Sequence, residues 1–281
     1  MIRFVAGEGE GPAFHDVAAG RAELSSPEVS VPAYRGKRLL PVLSWLVTRR
    51  PPGSSFVWMV ERRIGPDFVR RELAPLGWEL SASREGRSVL LSGAIPAAHP
   101  LPPPRSFTVS DGLEFEADYG VFSPGGIDAG SALLLEVAGR LPAVVEVADV
   151  GVGYGALAIS LVARGTAARA VGTDVDSIAL WLAQRNAAAA GVPLEVVLDP
   201  DPLAVERTPL TVSNVPTHLD APRTAALMAG LVERARDGRL LAVVHASLEE
   251  RYARHLKQPG LRLTRHPGSE HVVLELSPSS R

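Results

Sequence analysis

The stretch from Val145 to Ala156, V-E-V-A-D-V-G-V-G-Y-G-A, does most to limit what this chain can become. It reads as a buried strand running into a glycine-rich turn that opens a helix. Glycines at 151, 153 and 155 allow a tight turn and let the backbone come close to a ligand that any Cβ would hold away, while the helix N-terminus behind them offers unpaired N–H groups. Such a turn is a cofactor cradle. Because Gly151, Gly153 and Ala156 also fit the G-x-G-x-x-A dinucleotide pattern, the surrounding residues must identify the cofactor.

The C-terminal half alternates strand and helix patterns, with strands at 144–150, 168–174, 194–198, 210–213 and 240–245, helices at 156–164, 177–190, 223–236 and 249–256, and a closing hairpin over 261–276. Strands separated by helices imply an α/β fold with a mostly parallel sheet, here carrying a C-terminal antiparallel hairpin at its edge. Upstream, A-I-P-A-A-H-P-L-P-P-P-R at 94–105 can neither continue a helix nor join a sheet centre, so it reads as a semi-rigid linker between a domain at 1–104 and one at 105–281. The first domain looks like a smaller, degenerate half-copy of the second. P-E-V-S-V-P-A-Y at 27–34 lies against L-T-V-S-N-V-P-T at 210–217, and at a constant offset of 183 Gly77 falls on Gly260 and V-L-L at 89 on V-V-L at 272. A period of that length means tandem domains rather than a solenoid. The copy has no glycine-rich turn, no room for the first two strand–helix units, and no asparagine where the second copy has Asn214.

Composition narrows the chemistry. With no Cys among 281 residues, disulfides, thiolate zinc sites and cysteine nucleophiles are excluded, and no metal site is expected. No run approaches the ~20 apolar residues of a membrane span, so a soluble, cytoplasmic protein is the expectation. The net charge of −2 is unevenly divided: residues 1–105 hold 14 Lys+Arg against 10 Asp+Glu, and the remainder 15 against 21. The basic excess sits in Arg35, Lys37, Arg38, Arg49, Arg50, Arg62, Arg63, Arg70 and Arg71, which make either solvated helix faces or a polyanion-binding face.

Asp149 stands two residues before the first glycine, where a carboxylate can accept from a cationic amine or order the glycine loop. A dinucleotide's pyrophosphate gains nothing from an added carboxylate there, whereas the methionine end of S-adenosylmethionine carries an ammonium. Asp174 ends the next strand at the spacing from which a carboxylate grips ribose hydroxyls, and Asp176 reads as the N-cap of the following helix. Asp199, in Asp199-Pro200-Asp201 at the end of the third strand, is placed to accept from the adenine amine.

At these residues the chain resembles the class I S-adenosylmethionine-dependent methyltransferases, and within them the small-domain enzymes that methylate the guanine exocyclic amine in ribosomal RNA. The resemblance covers most of residues 106–281 and is most specific in V-F-S-P-G-G-I-D-A-G-S-A-L-L-L-E at 121–136. It implies a Rossmann-like sheet, a helix over that segment leading into the first strand, and Phe122, Asp128 and Gly130 lining the methyl-donor pocket. D-V-G-V-G-Y-G resembles the family's glycine motif, G-T-D-V-D its ribose-binding acid, and S-N-V-P-T-H its catalytic tetrapeptide. Family members also carry a degenerate N-terminal copy, although the one here is shorter. The tetrapeptide departs from the family's Asn-Pro-Pro-aromatic: Asn214, Val215, Pro216 and Thr217 keep the amine-orienting acceptor and lose the stacking ring, worth about 1–3 kcal/mol. Either another aromatic supplies the face, His218 and Phe122 being the candidates, or the substrate is not a flat base.

The resemblance therefore implies a methyl-donor enzyme acting on an exocyclic amine, that of a guanine in ribosomal RNA, with Asn214 and Pro216 catalytic. Thr217, His218, Arg49, Arg50, Arg62 and Arg63 are the expected substrate contacts. The acidic C-terminal half and Thr217 favour the alternative of a small-molecule or protein amine. A non-catalytic binding protein and a nicotinamide-dependent oxidoreductase are the remaining classes.

Overall fold

A computed structural model describes residues 2–7, 10–32 and 38–279. Arg35 and Lys37 of the basic set lie outside the described residues. The chain divides into two compact units, Met1–Arg105 with Asp118–Val121, and Ser106–Ala117 with Phe122–Arg281. The first unit thus includes a short segment, Asp118–Val121, beyond the boundary expected from the proline-rich stretch, and Asp118 shows why: its carboxylate accepts from the Arg38 guanidinium and from the Arg105 N–H at 3.0 Å.

In the first unit, helix α1 (Phe14–Ala18) is followed by strand β1 (Glu28–Ser30), α2 (Leu39–Val47), β2 (Ser55–Glu61), α3 (Pro66–Leu73), β3 (Ser81–Glu85) and β4 (Ser88–Ala94). Among the described residues the strands form one sheet in the order β1-β2-β4-β3, with β1 and β2 parallel and the other pairs antiparallel. Its core is aromatic. Trp58 is fully buried and meets Trp78 edge-on at 5.1 Å, and the Trp78 indole N–H donates to Ser44 Oγ at 2.8 Å, which also contacts His99 Nε2. The start of the proline-rich stretch belongs to this unit rather than to a linker, because Ile95 is buried and exchanges backbone hydrogen bonds with Gly53 and Ser54.

The second unit begins with a small hairpin, β5 (Ser106–Thr108) and β6 (Glu114–Glu116), then α4 (Ala129–Ala138), β7 (Val144–Val150), α5 (Ala156–Ala163), β8 (Ala167–Asp174), α6 (Ser177–Ala190), β9 (Leu194–Leu198) and β10 (Leu210–Asn214). It closes with α7 (Ala221–Ala235), β11 (Arg239–His245), α8 (Glu249–Leu256), β12 (Leu261–Pro267) and β13 (His271–Pro278). The large sheet runs β12-β13-β11-β10-β7-β8-β9, with every strand in one direction except β13, which is antiparallel to both β11 and β12. Central strands such as Leu240–Val244 read as unbroken apolar runs because both faces are covered. Leu210, Val212, Leu241 and Val243 pack with residues of α4, α5 and α6, while Leu240, Ala242 and Val244 pack with α7 and α8.

The strand order of the first sheet recurs in the second. The order β10-β11-β13-β12, with α7 and α8 as connections, repeats β1-β2-β4-β3 with α2 and α3. Even the registers agree at the offset of 183: Val29 faces Trp58 as Val212 faces Leu241, and Ala82 faces Leu91 as Arg265 faces Leu274. Gly77 and Gly260 both take positive φ, +88° and +78°, at the turn before β3 and β12. One pairing differs, since Trp58 lies opposite Leu91 whereas Leu241 lies opposite Glu275.

Candidate active site

The strand order reverses between β7 and β10, so the loops leaving the C-terminal ends of β7, β8, β9 and β10 border a crevice at a topological switch point. Four sequence-expected groups converge there. The first is the glycine turn after β7. Gly151 and Gly153 take φ of +80° and +56°, and a Cβ added to either meets nothing within 4 Å, so the loop leaves open space above it. Gly155 does something else: its Cβ would lie 2.7 Å from Ile159 Cδ1, so it permits packing at the start of α5 rather than ligand approach. Gly172, which the sequence reading passed over, has a similar task, since a Cβ there would fall 2.7 Å from Val152 and push the loop off β8.

Asp174 ends β8 and holds the turn from the side, its Oδ2 accepting from the Gly153 N–H at 2.8 Å and its Oδ1 from the Asp176 N–H at 2.9 Å. Asp176 caps α6 by accepting from Ile178 and Ala179. Asp199 sits beside Asp174 through a backbone bond of 3.1 Å and accepts from the Asp201 N–H, shaping the turn after β9. Val175 and Leu203 flank these two acids as exposed large apolar residues, at 45% and 44%. Only exposure in the fold marks them, because a lone aliphatic residue carries no sequence signal.

Of the two roles expected for Asp149, the geometry supplies the ordering one. The residue is 1% exposed, and its Oδ2 accepts from the Ala158 N–H of α5 at 3.1 Å. Its Oδ1 is buried with no hydrogen-bond partner among the described residues. Burial therefore pushes the carboxyl up to about 7, against the pull of the Ala158 bond and with a smaller push from Asp174.

The end of β10 is met by the start of α4. Asp128 caps it, accepting from the Gly130 and Ser131 N–H groups, so the helix begins only at Ala129 and residues 121–128 are irregular rather than helical. Tyr154 OH braces that loop by donating toward the Ser123 and Gly126 carbonyls, and Phe122 projects from it at 70% exposure. Gly130 does not open toward the cradle: its Cβ would meet the His271 ring at 2.9 Å, so it brings α4 close to β13. At the end of β10, Asn214 Nδ2 donates to both Asp128 oxygens at 3.2 and 3.1 Å and to Ser131 Oγ at 3.0 Å. A carboxylate only accepts, so this contact fixes the amide orientation and leaves Asn214 Oδ1 as the acceptor. Pro216 follows, half-buried, with Thr217 and His218 exposed.

The expected arginine contacts separate. Arg49 donates to the Val17 and Ala18 carbonyls and lies over Trp45, and Arg50 donates to the Ser26 carbonyl and lies over Phe56, so both are fastened into their own unit. Arg63 pairs with exposed Glu61, while among the described residues Arg62 pairs with no carboxylate. No group of residues able to hold a metal occurs among the described residues, and no helix is long and apolar enough to cross a membrane.

The chain is similar to several known proteins. The methyltransferase small domain family model matches residues 112–259. A ribosomal RNA small subunit methyltransferase C from Pseudomonas aeruginosa is 31% identical over 83% of this chain and 71% of its own length. Its counterpart from Stutzerimonas stutzeri is 30% identical over 72% of this chain, which spans 63% of that relative's length. Among solved structures, a T. thermophilus 16S rRNA methyltransferase in complex with AdoMet and guanosine matches over 99% of this chain and 81% of that one, with a TM-score of 0.69 at 22% identity. The chain belongs to the methyltransferase small domain family of class I S-adenosylmethionine-dependent methyltransferases.

Proposed function

We propose that this protein transfers a methyl group from S-adenosylmethionine to the exocyclic amine of a guanine in ribosomal RNA. The observation that carries the reading is Asn214, whose amide nitrogen is held by Asp128 and Ser131 so that its oxygen can only accept. A target amine donates one N–H to that oxygen, which turns its nitrogen lone pair toward the donor side of the crevice and spreads the positive charge that grows on nitrogen. S-adenosylmethionine, when bound, supplies an electrophilic methyl on a sulfonium, so orientation rather than a strong base is what the protein must provide.

The residues present fit that cofactor. Gly151 and Gly153 leave open the space a ligand needs, Asp174 ends β8 where ribose hydroxyls are gripped, and Asp199 with Val175 and Leu203 offers a polar and apolar setting for adenine. Phe122 and Asp128 border the methionine end, and Pro216 stiffens the segment after Asn214. An RNA substrate agrees with the names of the relatives and with a cytoplasmic setting. Against them stands Thr217 in place of the aromatic, which favours a small-molecule or protein amine as the second reading.

Radiolabelled methyl transfer to ribosomal RNA, to small ribosomal subunits and to free guanosine tests this. Label recovered in a methylated guanosine after nuclease digestion is the expected result. Label absent from RNA but present in an amine metabolite or protein fraction would establish the second reading, and NAD binding in preference to S-adenosylmethionine would overturn both.

A further inference from the structure

We infer that His245, backed by His271, supplies the aromatic face against which the target base rests. The inference depends on the base-methylating reading above and names the residue that replaces the missing ring. Thr217 cannot stack.

β10 and β11 are parallel neighbours, with Asn214 opposite Val243. The apolar residues that alternate toward α4 are Leu210 and Val212 on β10, and Leu241 and Val243 on β11. Continuing that alternation, Asn214 and His245 leave the sheet on the same face at the same edge. With strands spaced ~4.8 Å apart and a rise of ~3.3 Å per residue, their Cα atoms are ~8 Å apart, within reach of one base.

The His245 ring is exposed and held. Its cross-strand partner is His271, whose ring lies edge-on at 5.4 Å and 79°. His271 is itself wedged against Gly130, next to the Asp128 that orients Asn214. On the other side, the Ser247 N–H donates to His245 Nδ1 at 3.3 Å, and Ser247 Oγ lies 2.7 Å from the same atom. A backbone N–H can only donate, so Nδ1 accepts and the ring's donor is Nε2. A held, exposed ring near the strand end that carries the amine acceptor is what a base-stacking wall requires. The Ser247 contact also caps the short turn at Ala246–Leu248, whereas the edge-on contact with His271 leaves the exposed ring open beside the end of β10.

The test is steady-state methylation of ribosomal RNA by the full chain, with S-adenosylmethionine affinity and melting temperature measured alongside. His245→Ala should raise the KM for RNA about 10-fold, the scale of one lost base stack, while donor affinity and melting temperature stay unchanged. His245→Phe should restore most of that loss. A wild-type KM in His245→Ala, or no recovery in His245→Phe, overturns the inference while leaving the proposed function intact. A wild-type protein that binds S-adenosylmethionine yet never methylates RNA overturns the proposed function, and this inference with it.

Discussion

At the scale of single residues, two side chains carry opposite expectations. In the proposed reaction Asn214 meets the target amine and not the donor: Asn214→Ala should then reduce kcat on the order of 100-fold with little change in S-adenosylmethionine affinity, as expected for loss of one preorganised acceptor. Equal loss of donor binding, measured by calorimetry, would show that Asn214 is only a brace for Asp128. Asp149 gives a pH signature instead. Its folded-state value of about 7 lies above the ordinary 3.8, so the folded protein keeps a proton there that the unfolded chain has lost, and stability falls as pH rises from about 4 to about 7. Asp149→Asn keeps an acceptor for the Ala158 N–H and removes the ionisation. We expect the variant to be more stable than wild type at pH 8 by on the order of 2–4 kcal/mol, with the difference vanishing near pH 4. Identical pH profiles in denaturant unfolding would refute this. Weakened donor binding in the same variant would reveal that the unpartnered Oδ1 also serves the ammonium.

Among elements, the segment after β9 is held in an unusual way. Arg234 of α7 is 1% exposed and donates to the carbonyls of Pro202, Val205 and Glu206 and to the hydroxyls of Thr208 and Thr211. One guanidinium thereby satisfies a loop that would otherwise bury unpaired backbone, and Gly230 lets Pro202 lie against the helix, where a Cβ would come within 2.9 Å. Arg234→Met should cost about 3–5 kcal/mol of stability and weaken donor binding, because Asp199 and Leu203 stand on the loop it fastens. Thermal unfolding and calorimetry check it, and a fall in stability without any change in donor affinity would separate the loop from the cofactor. Element boundaries were mostly legible, since β7, α6, β9 and α8 coincide with the periodic segments read from sequence. The loop at 121–128 was not: the resemblance implied a helix over the whole of 121–136, but Pro124, Gly125 and Gly126 break it and Asp128 caps the helix that follows.

For the whole molecule, the two units share a strand order and differ in what precedes it. The first sheet has no strand corresponding to β7, β8 or β9 among the described residues, and Val31 stands where the offset of 183 places Asn214. Titration should accordingly give one S-adenosylmethionine per chain, and a second site would contradict the half-copy assignment. We propose the first unit as a substrate-recognition and packing module. Neutralising Arg62 and Arg63 should then lower the salt dependence of RNA binding by up to about 2 in log–log slope, while Arg49→Ala and Arg50→Ala should lower the melting temperature instead. An unchanged slope in the Arg62 and Arg63 variants removes the first unit from RNA contact. Periodicity, glycine spacing and the terminal acids are local properties, written in neighbouring residues, and for that reason the α/β alternation, the cradle and Asn214 could be read along the chain. Which hydrogen bonds those residues make depends on partners far away in sequence. The inward turn of Asp149, the orientation of the Asn214 amide by Asp128 and Ser131, the fastening of Arg49 and Arg50, and the pairing of His245 with His271 arise only when the strands align and burial forces each polar group to find its partner.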